Sequence, residues 1–209
     1  MIRDGNLKVW EQGLKHEAAI LKLPGQKGSE FTIENSTEEK RPYAEIQRSF
    51  GENVFEAVAL IGVLASFVSP IWVWSSLPAK IPAHYNISGQ IDRWGSKGEL
   101  FLLVPVIVLM YIFLTTLNRY PHRFNYPFDI TEQNAGVQYH LARLMVQALK
   151  AEVIWIFFYI EWISIKGAMG KGVGLGSAFL IISLLLVFGT IGIYIWRAFR
   201  LNSRCNNAG

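Results

Sequence analysis

Three stretches of the chain run without a charged residue over lengths suited to a bilayer: Ala57 to Ala79, Leu100 to Asn118 and Gly172 to Trp196. They predict transmembrane helices at about 53–76, 100–117 and 175–196. Trp72 and Trp74 fall at the far end of the first, where indole rings favour the headgroup zone, and Pro70 is placed to kink or end it. A fourth apolar segment is weaker, because Glu152 and Glu161 interrupt it and leave only Val153 to Ile160 free of charge. It is read as a span at about 148–166, since an even number of crossings also satisfies the charge count below.

The polar positions between these runs are patterned too. Leu7, Trp10, Leu14, Ala18 and Leu21 recur at helical spacing, which predicts an amphipathic surface segment. Pro24, Gly25, Gly28 and Ser29 interrupt it before a solvated linker containing Glu38, Glu39, Lys40 and Arg41. Residues 1–50 therefore read as a cytosolic arm, 51–198 as a four-span membrane domain and 199–209 as a cytosolic tail. Between the second and third spans, Pro121, Asn125, Tyr126 and Pro127 favour turn or extended backbone, and Asp129 with Glu132 fits a capping box that opens a helix. Beyond it Val137, Leu141, Leu144, Met145 and Ala148 share one face, opposite Gln138, Arg143, Gln147 and Lys150. An amphipathic interfacial helix running into the third span is expected.

Composition narrows the class. Of 209 residues, 51% are hydrophobic and 17% charged, and the mean hydropathy is +0.25, which leaves too little polar surface for an ordinary soluble globule. A soluble enzyme, a disulfide scaffold and a disordered chain are excluded on this ground, and the single Cys205 has no intramolecular partner. No secretory leader is expected, because the first apolar run begins only near residue 53. The net charge of +4 and pI of 9.2 do not mark a nucleic-acid face, since basic residues alternate with acids. Fifteen of the twenty Lys and Arg fall in the arm, the second loop and the tail, which places both termini inside by the positive-inside rule. The expected fold is thus an all-α integral membrane protein, a four-helix transmembrane bundle in the bacterial cytoplasmic (inner) membrane.

The densest chemistry lies in Leu77 to Lys97, LPAKIPAHYNISGQIDRWGSK. Asn86, Ser88 and Gly89 suit a tight turn, so Ala83 to Tyr85 is expected to face Gln90 to Arg93 in a small hairpin that brings His84 near Asp92. With Trp94 and Lys97, His84, Asn86, Gly89 and Asp92 form the candidate ligand-binding set. Two ligands rarely make a metal site, so a His–carboxylate hydrogen bond is the simpler reading of the pair. Glu152 and Glu161 are candidate intramembrane carboxylates, read as facing one side of the third span. They make either a relay or two interfacial groups partnered by Lys150 and Lys166. Glycines 167, 170, 172, 174 and 176 read as a flexible outer connection, and Trp155, Tyr159 and Trp162 as interfacial anchors. No nucleophile–base arrangement is discernible; no catalytic residue, metal or cofactor is expected.

The pattern LPxxIPxHYNxxGxxDRWGSK leading into an apolar span resembles a bacterial membrane domain of unknown function shared with the N-terminal part of SdpI-type toxin-immunity proteins. Tyr120 to Tyr139, YPHRFNYPFDITEQNAGVQY, is similar to the cytosolic segment that often follows in that family, with Asn125, Tyr126 and Pro127 as its motif. The resemblance covers about residues 53–165. It implies a polytopic fold and an immunity-like or sensory role.

Three functional expectations follow. The first is a non-enzymatic membrane protein whose extracytoplasmic loop 77–98 binds an envelope component, peptide or toxin. The second is an accessory subunit of a larger membrane complex, packing through small residues such as Gly62, Ala65 and Ser69. The third is a small proton-linked transporter using Glu152 and Glu161. Expected partners are the lipid bilayer, other membrane subunits or an extracellular peptide, and no nucleic acid.

Overall fold

The computed structural model describes residues 41, 42, 44, 46–172 and 174–206, all within the second of two compact units, 1–40 and 41–209. The predicted amphipathic segment of the arm lies outside the described residues. Those residues form four helices and one antiparallel strand pair: α1 (Phe50–Val73), β1 (Lys80–Tyr85), β2 (Ile91–Ser96), α2 (Leu100–Leu117), α3 (Ala135–Ala168) and α4 (Phe179–Asn206). Three of these helices, α1, α2 with its leading turn, and α4, are long and apolar enough to cross a membrane.

Local sequence explains how α1 starts. Ser49 Oγ accepts from the Glu52 amide at 3.3 Å and Glu52 returns a carboxylate to the Ser49 amide at 2.7 Å, a complete capping box. The same carboxylate pairs with Arg143 of α3 at 2.8 Å, so the cap also locks two helices together.

α3 is the centre of the bundle. Lys150 Nζ donates to Glu56 Oε2 of α1 at 2.8 Å and to Thr115 Oγ1 of α2 at 3.0 Å, and Tyr111 donates to the other Glu56 oxygen. Further along both helices Ser69 donates to Glu161, so α1 and α3 run the same way. Thr190 meets Glu152 and the Ala198 carbonyl meets Gln138, so α4 runs opposite to α3. Apolar packing fills the space between these polar links. Ala59, Val63, Ile107, Ala151 and Ile154 form one buried cluster, and Leu77, Ile81, Leu100 and Ile165 form a second at the strand end.

Several expectations are corrected. The first helix covers 50–73 rather than 53–76, and it ends three residues after Pro70, whose missing N–H weakens the last turn. The fold is mostly helical, and the hairpin expected in the loop after α1 is present as a small two-stranded sheet, longer than predicted. The interfacial helix and the third span are one continuous helix of 34 residues, about 51 Å long. It opens at Asn134, not at the Asp129–Glu132 box: the Asn134 amide bonds the Thr131 amide, the Asp129 carbonyl and Asn202, which holds 129–134 as a turn. Its predicted polar face is buried as well as the apolar one: Gln138, Gln147 and Lys150 lie inside together with Leu141 and Ala148, and Val137 alone of the apolar set is exposed. These polar groups are buried because other helices bring partners to them, and an unpaired one would be far costlier inside than an exposed valine outside. The last helix starts at Phe179 and absorbs most of the predicted tail.

The Lys150–Glu56 pair gives a direct test. Lys150→Met leaves a partly buried carboxylate without its cation and is expected to cost about 3–5 kcal/mol, whereas Glu56→Gln with Lys150→Met recovers most of that loss. Thermal unfolding in mild detergent reads both; a double variant as unstable as the single one would show that the pair is not the coupling element.

Candidate functional site

The hairpin is built from a turn upward. Asn86 Oδ1 accepts from the Ser88 and Gln90 amides, each at 3.0 Å, and Gly89 turns the chain with φ of 74°. From there β1 and β2 pair from Tyr85–Ile91 to Lys80–Ser96, with an irregular register around His84.

Its root is fixed to the helices. Ile81 belongs to the second core cluster, and the Tyr85 hydroxyl lies 3.0 Å from Ser164 Oγ of α3. Burial there pushes the Tyr85 phenol above its ordinary value, against the opposing pull of that hydrogen bond. Pro82 rests on Gly167, where an added Cβ would come within 2.9 Å of the proline ring. At the far end of β2, Glu99 accepts from the Ser96 amide and from Arg93, both at 3.0 Å. Lys97 lies 4.4 Å from the Trp74 ring centre and donates to the Trp74 carbonyl at 3.3 Å.

The expected flexible glycine connection is instead clamped to this turn. The Leu175 amide donates to the Gly89 carbonyl at 2.8 Å, and a Cβ on Gly89 would meet the Gly176 carbonyl oxygen at 2.4 Å. On the other side of the contact a Cβ on Gly174 would come within 2.3 Å of the Gly89 carbonyl oxygen, so the approach requires glycine at both 89 and 174.

Of the six candidate ligand residues, Asn86 and Gly89 build the turn and Lys97 is held on Trp74. His84 Nδ1 and Asp92 Oδ1 do come together, at 2.6 Å, and both side chains are exposed. Trp94 is 53% exposed and Ile87, at the hairpin tip, 81%. A groove of 360 Å³ borders the same strand, lined by His84, Tyr85, Ile87 and Phe179 among others. The Arg93–Glu99 and Tyr85–Ser164 links were not anticipated. The first had a local signal, since Ser96-Lys97-Gly98-Glu99 reads as a capping box; the second joins residues far apart in the chain and had none.

The two carboxylates expected to lie in the membrane, Glu152 and Glu161, are not brought together. Nine residues is a half-integral number of turns, so Glu161 leaves α3 toward Ser69 of α1 and Glu152 toward Thr190 of α4. Their partners are hydroxyls rather than Lys150 and Lys166. Lys150 belongs to Glu56, and Lys166 lies over the Trp162 ring. Trp155 donates to the Val58 carbonyl, and Gly62 and Ser69 face α3. Tyr126 of the loop motif is structural: its hydroxyl donates to the Pro121 carbonyl at 3.0 Å, its ring packs on Tyr139, and burial pushes its phenol upward.

Comparison with known sequences meets this region. A family model described as a domain of unknown function (DUF1648) matches residues 61–109, from the middle of α1 through the hairpin into α2. The chain is also similar to an uncharacterized protein of Archaeoglobus fulgidus, 36% identical over 76 residues, which cover 32% of this chain and 42% of that protein. The chain thus spans less than half the length of that relative. No solved structure matches. The matched domain contains the whole LPAKIPAHYNISGQIDRWGSK segment and carries no toxin-immunity description, and the match ends before the 120–139 segment.

The geometry separates two roles within one hairpin. Tyr85→Phe is expected to cost about 1 kcal/mol and to speed amide exchange across 80–96, because it frees the root. His84→Ala removes an exposed pair and should change stability by less than about 1 kcal/mol. Exchange followed by mass spectrometry distinguishes them; equal acceleration in both would place His84 in the scaffold.

Proposed function

We propose that this chain is a non-enzymatic multi-pass protein of the cytoplasmic membrane whose hairpin is a recognition surface for an envelope component, peptide or toxin. The observation that carries this reading is the mounting of the hairpin. Tyr85, Ile81 and Pro82 fix its root, Gly89 is clamped by the loop before α4, and His84, Ile87, Asp92 and Trp94 remain exposed. Exposed aromatic and polar groups on a rigid support suit binding at little ordering cost.

Four crossings with both termini inside are part of the proposal. Support comes from α3, whose polar groups find partners on α1, α2 and α4 over the depth from Lys150 to Glu161, so hydrocarbon need not solvate them. Three crossings would also carry Arg197, Arg200 and Arg204 outside, against the positive-inside rule. An accessory-subunit reading has its own support in an apolar groove of 850 Å³ between α1, α3 and α4, lined by Val54, Val58, Trp155 and Ile182 among others. A transport reading would need Glu152 and Glu161 in one path, and they leave α3 on different sides.

Cys205, the single cysteine, tests the topology. An impermeant maleimide added to intact cells should leave Cys205 unmodified and should label Ile87→Cys in a Cys205→Ser background; labelled Cys205 in intact cells would overturn four crossings. Recognition is tested by a photo-crosslinking residue at Trp94, with Leu185 as a lipid-facing control. Envelope adducts at Trp94 that fall several-fold with His84→Ala and Asp92→Ala support the reading, and equal adducts at both positions sink it.

A further inference from the structure

At the end of the bundle opposite the hairpin, the segment before α1, the end of α2 and the first half of α3 enclose a pocket of 400 Å³. Three arginines line it, Arg48, Arg119 and Arg143, and no carboxylate does among the described residues. Their situations differ. Arg143 is occupied, donating to the Ile46 carbonyl at 2.8 Å and pairing with Glu52. Arg48 and Arg119 are exposed and form no ion pair among the described residues.

The wall adds a second observation. Asn118 is 8% exposed and Gln147 2%, and each holds a side-chain carbonyl oxygen with no hydrogen-bond partner. For Gln147 the orientation is set by its amide nitrogen, which donates to Glu56 Oε2 at 3.0 Å. Buried acceptor oxygens left without a donor are uncommon in a structural wall, and they call for an occupant that brings hydroxyl or N–H groups to them. The depth is informative as well. Asn118 and Arg119 directly follow the last apolar residue of α2, Leu117, and Arg48 directly precedes the cap of α1, so the pocket lies at headgroup level for a bilayer crossed by these helices.

We infer that this pocket binds a phosphate group carried on a hydroxyl-bearing headgroup, with Arg48 and Arg119 as cationic arms for the phosphate and the Asn118 and Gln147 carbonyl oxygens accepting from the headgroup's hydroxyls. Two sources share that chemistry: the phosphodiester of an anionic glycerolipid and a soluble phosphate ester. A bidentate guanidinium suits either, and the position beside the hydrocarbon boundary favours the lipid.

The test uses the full chain in mild detergent, titrated with phosphatidylglycerol, phosphatidylcholine or glycerol 3-phosphate and read by native mass spectrometry. Phosphatidylglycerol is expected to be retained over phosphatidylcholine. Arg48→Gln and Arg119→Gln should each weaken retention roughly fivefold, from about 1 kcal/mol per basic residue near an anionic surface. Both side chains are exposed, so these variants keep the fold, and Arg204→Gln in α4, outside the pocket, should leave retention unchanged. Glycerol 3-phosphate binding that shows the same two losses, without preference between the lipids, assigns the site to a soluble ester. The inference is overturned if neither anion binds above phosphatidylcholine, or if Arg204→Gln weakens binding as much as the pocket variants.

Discussion

Lys150 lies inside the bundle with 1% of its side chain exposed, where an ammonium without partners would cost several kcal/mol. Two other helices supply what it needs. Glu56 comes from α1, and Thr115 and the face of the Tyr111 ring come from α2, with the ring centre 4.7 Å from the ammonium. An ion pair of this kind is weak evidence for net stability, because desolvation offsets much of the attraction, but it has strong geometric consequences. If α1 slid by one turn, Glu56 would leave Lys150 and Ser69 would leave Glu161 together. The pair therefore fixes the register on which the apolar cluster around Ile107 and Ile154 closes, and it sets the height at which α2 must stand.

The same constraint explains why α3 looks unlike its neighbours. Hydropathy rewards helices whose side chains face lipid, and α1, α2 and α4 expose leucines, isoleucines and phenylalanines along much of their surface. α3 is screened by those helices and can place Gln138, Gln147, Lys150 and Glu161 inward. Each buried polar group there has at least one partner on another element: Gln138 the Ala198 carbonyl, Gln147 and Lys150 the Glu56 carboxylate, Glu161 the Ser69 hydroxyl. A helix interrupted along its length by charged and amide side chains can thus be the most buried of the four.

What was legible in the sequence follows the range of the interactions. The hairpin could be read because its determinants are local: Asn86 caps its own turn, Gly89 supplies the positive φ, and the spacing from His84 to Asp92 follows from that turn. The bounds of α2 were equally plain, since Glu99 and Arg119 bracket an uninterrupted apolar run. The inward face of α3 was not legible. Amphipathic periodicity shows that one face differs from the other, and only partners distant in sequence, such as Glu56 and Ala198, decide which face turns inward. The common side assigned to Glu152 and Glu161 failed on helical arithmetic, and the capping box at Asp129 failed because Asn134 binds the same turn more completely and ties it to Asn202.

A side chain already satisfying the fold is a poor recognition element, because recruiting it to a ligand first breaks an internal contact. Applied to the hairpin, this removes Asn86, Gly89, Lys97, Arg93 and Tyr85, each engaged in the turn, the Trp74 ring, Glu99 or Ser164. Ile87 and Trp94 are left, together with His84 and Asp92, whose exposed bond joins only each other, and the irregular strand register at His84 falls among them. The same reasoning at the opposite end removes Arg143, bound to Glu52 and Ile46, and leaves Arg48 and Arg119. The two surfaces have different chemistry, one aromatic with a histidine–carboxylate pair and one cationic. Both stand on α3, whose Ser164 and Gly167 support the first and whose Gln147 lines the second. A rigid helix held by three neighbours lets both surfaces be presented without reorganisation of the bundle, which is the condition under which a small number of exposed groups can discriminate between ligands.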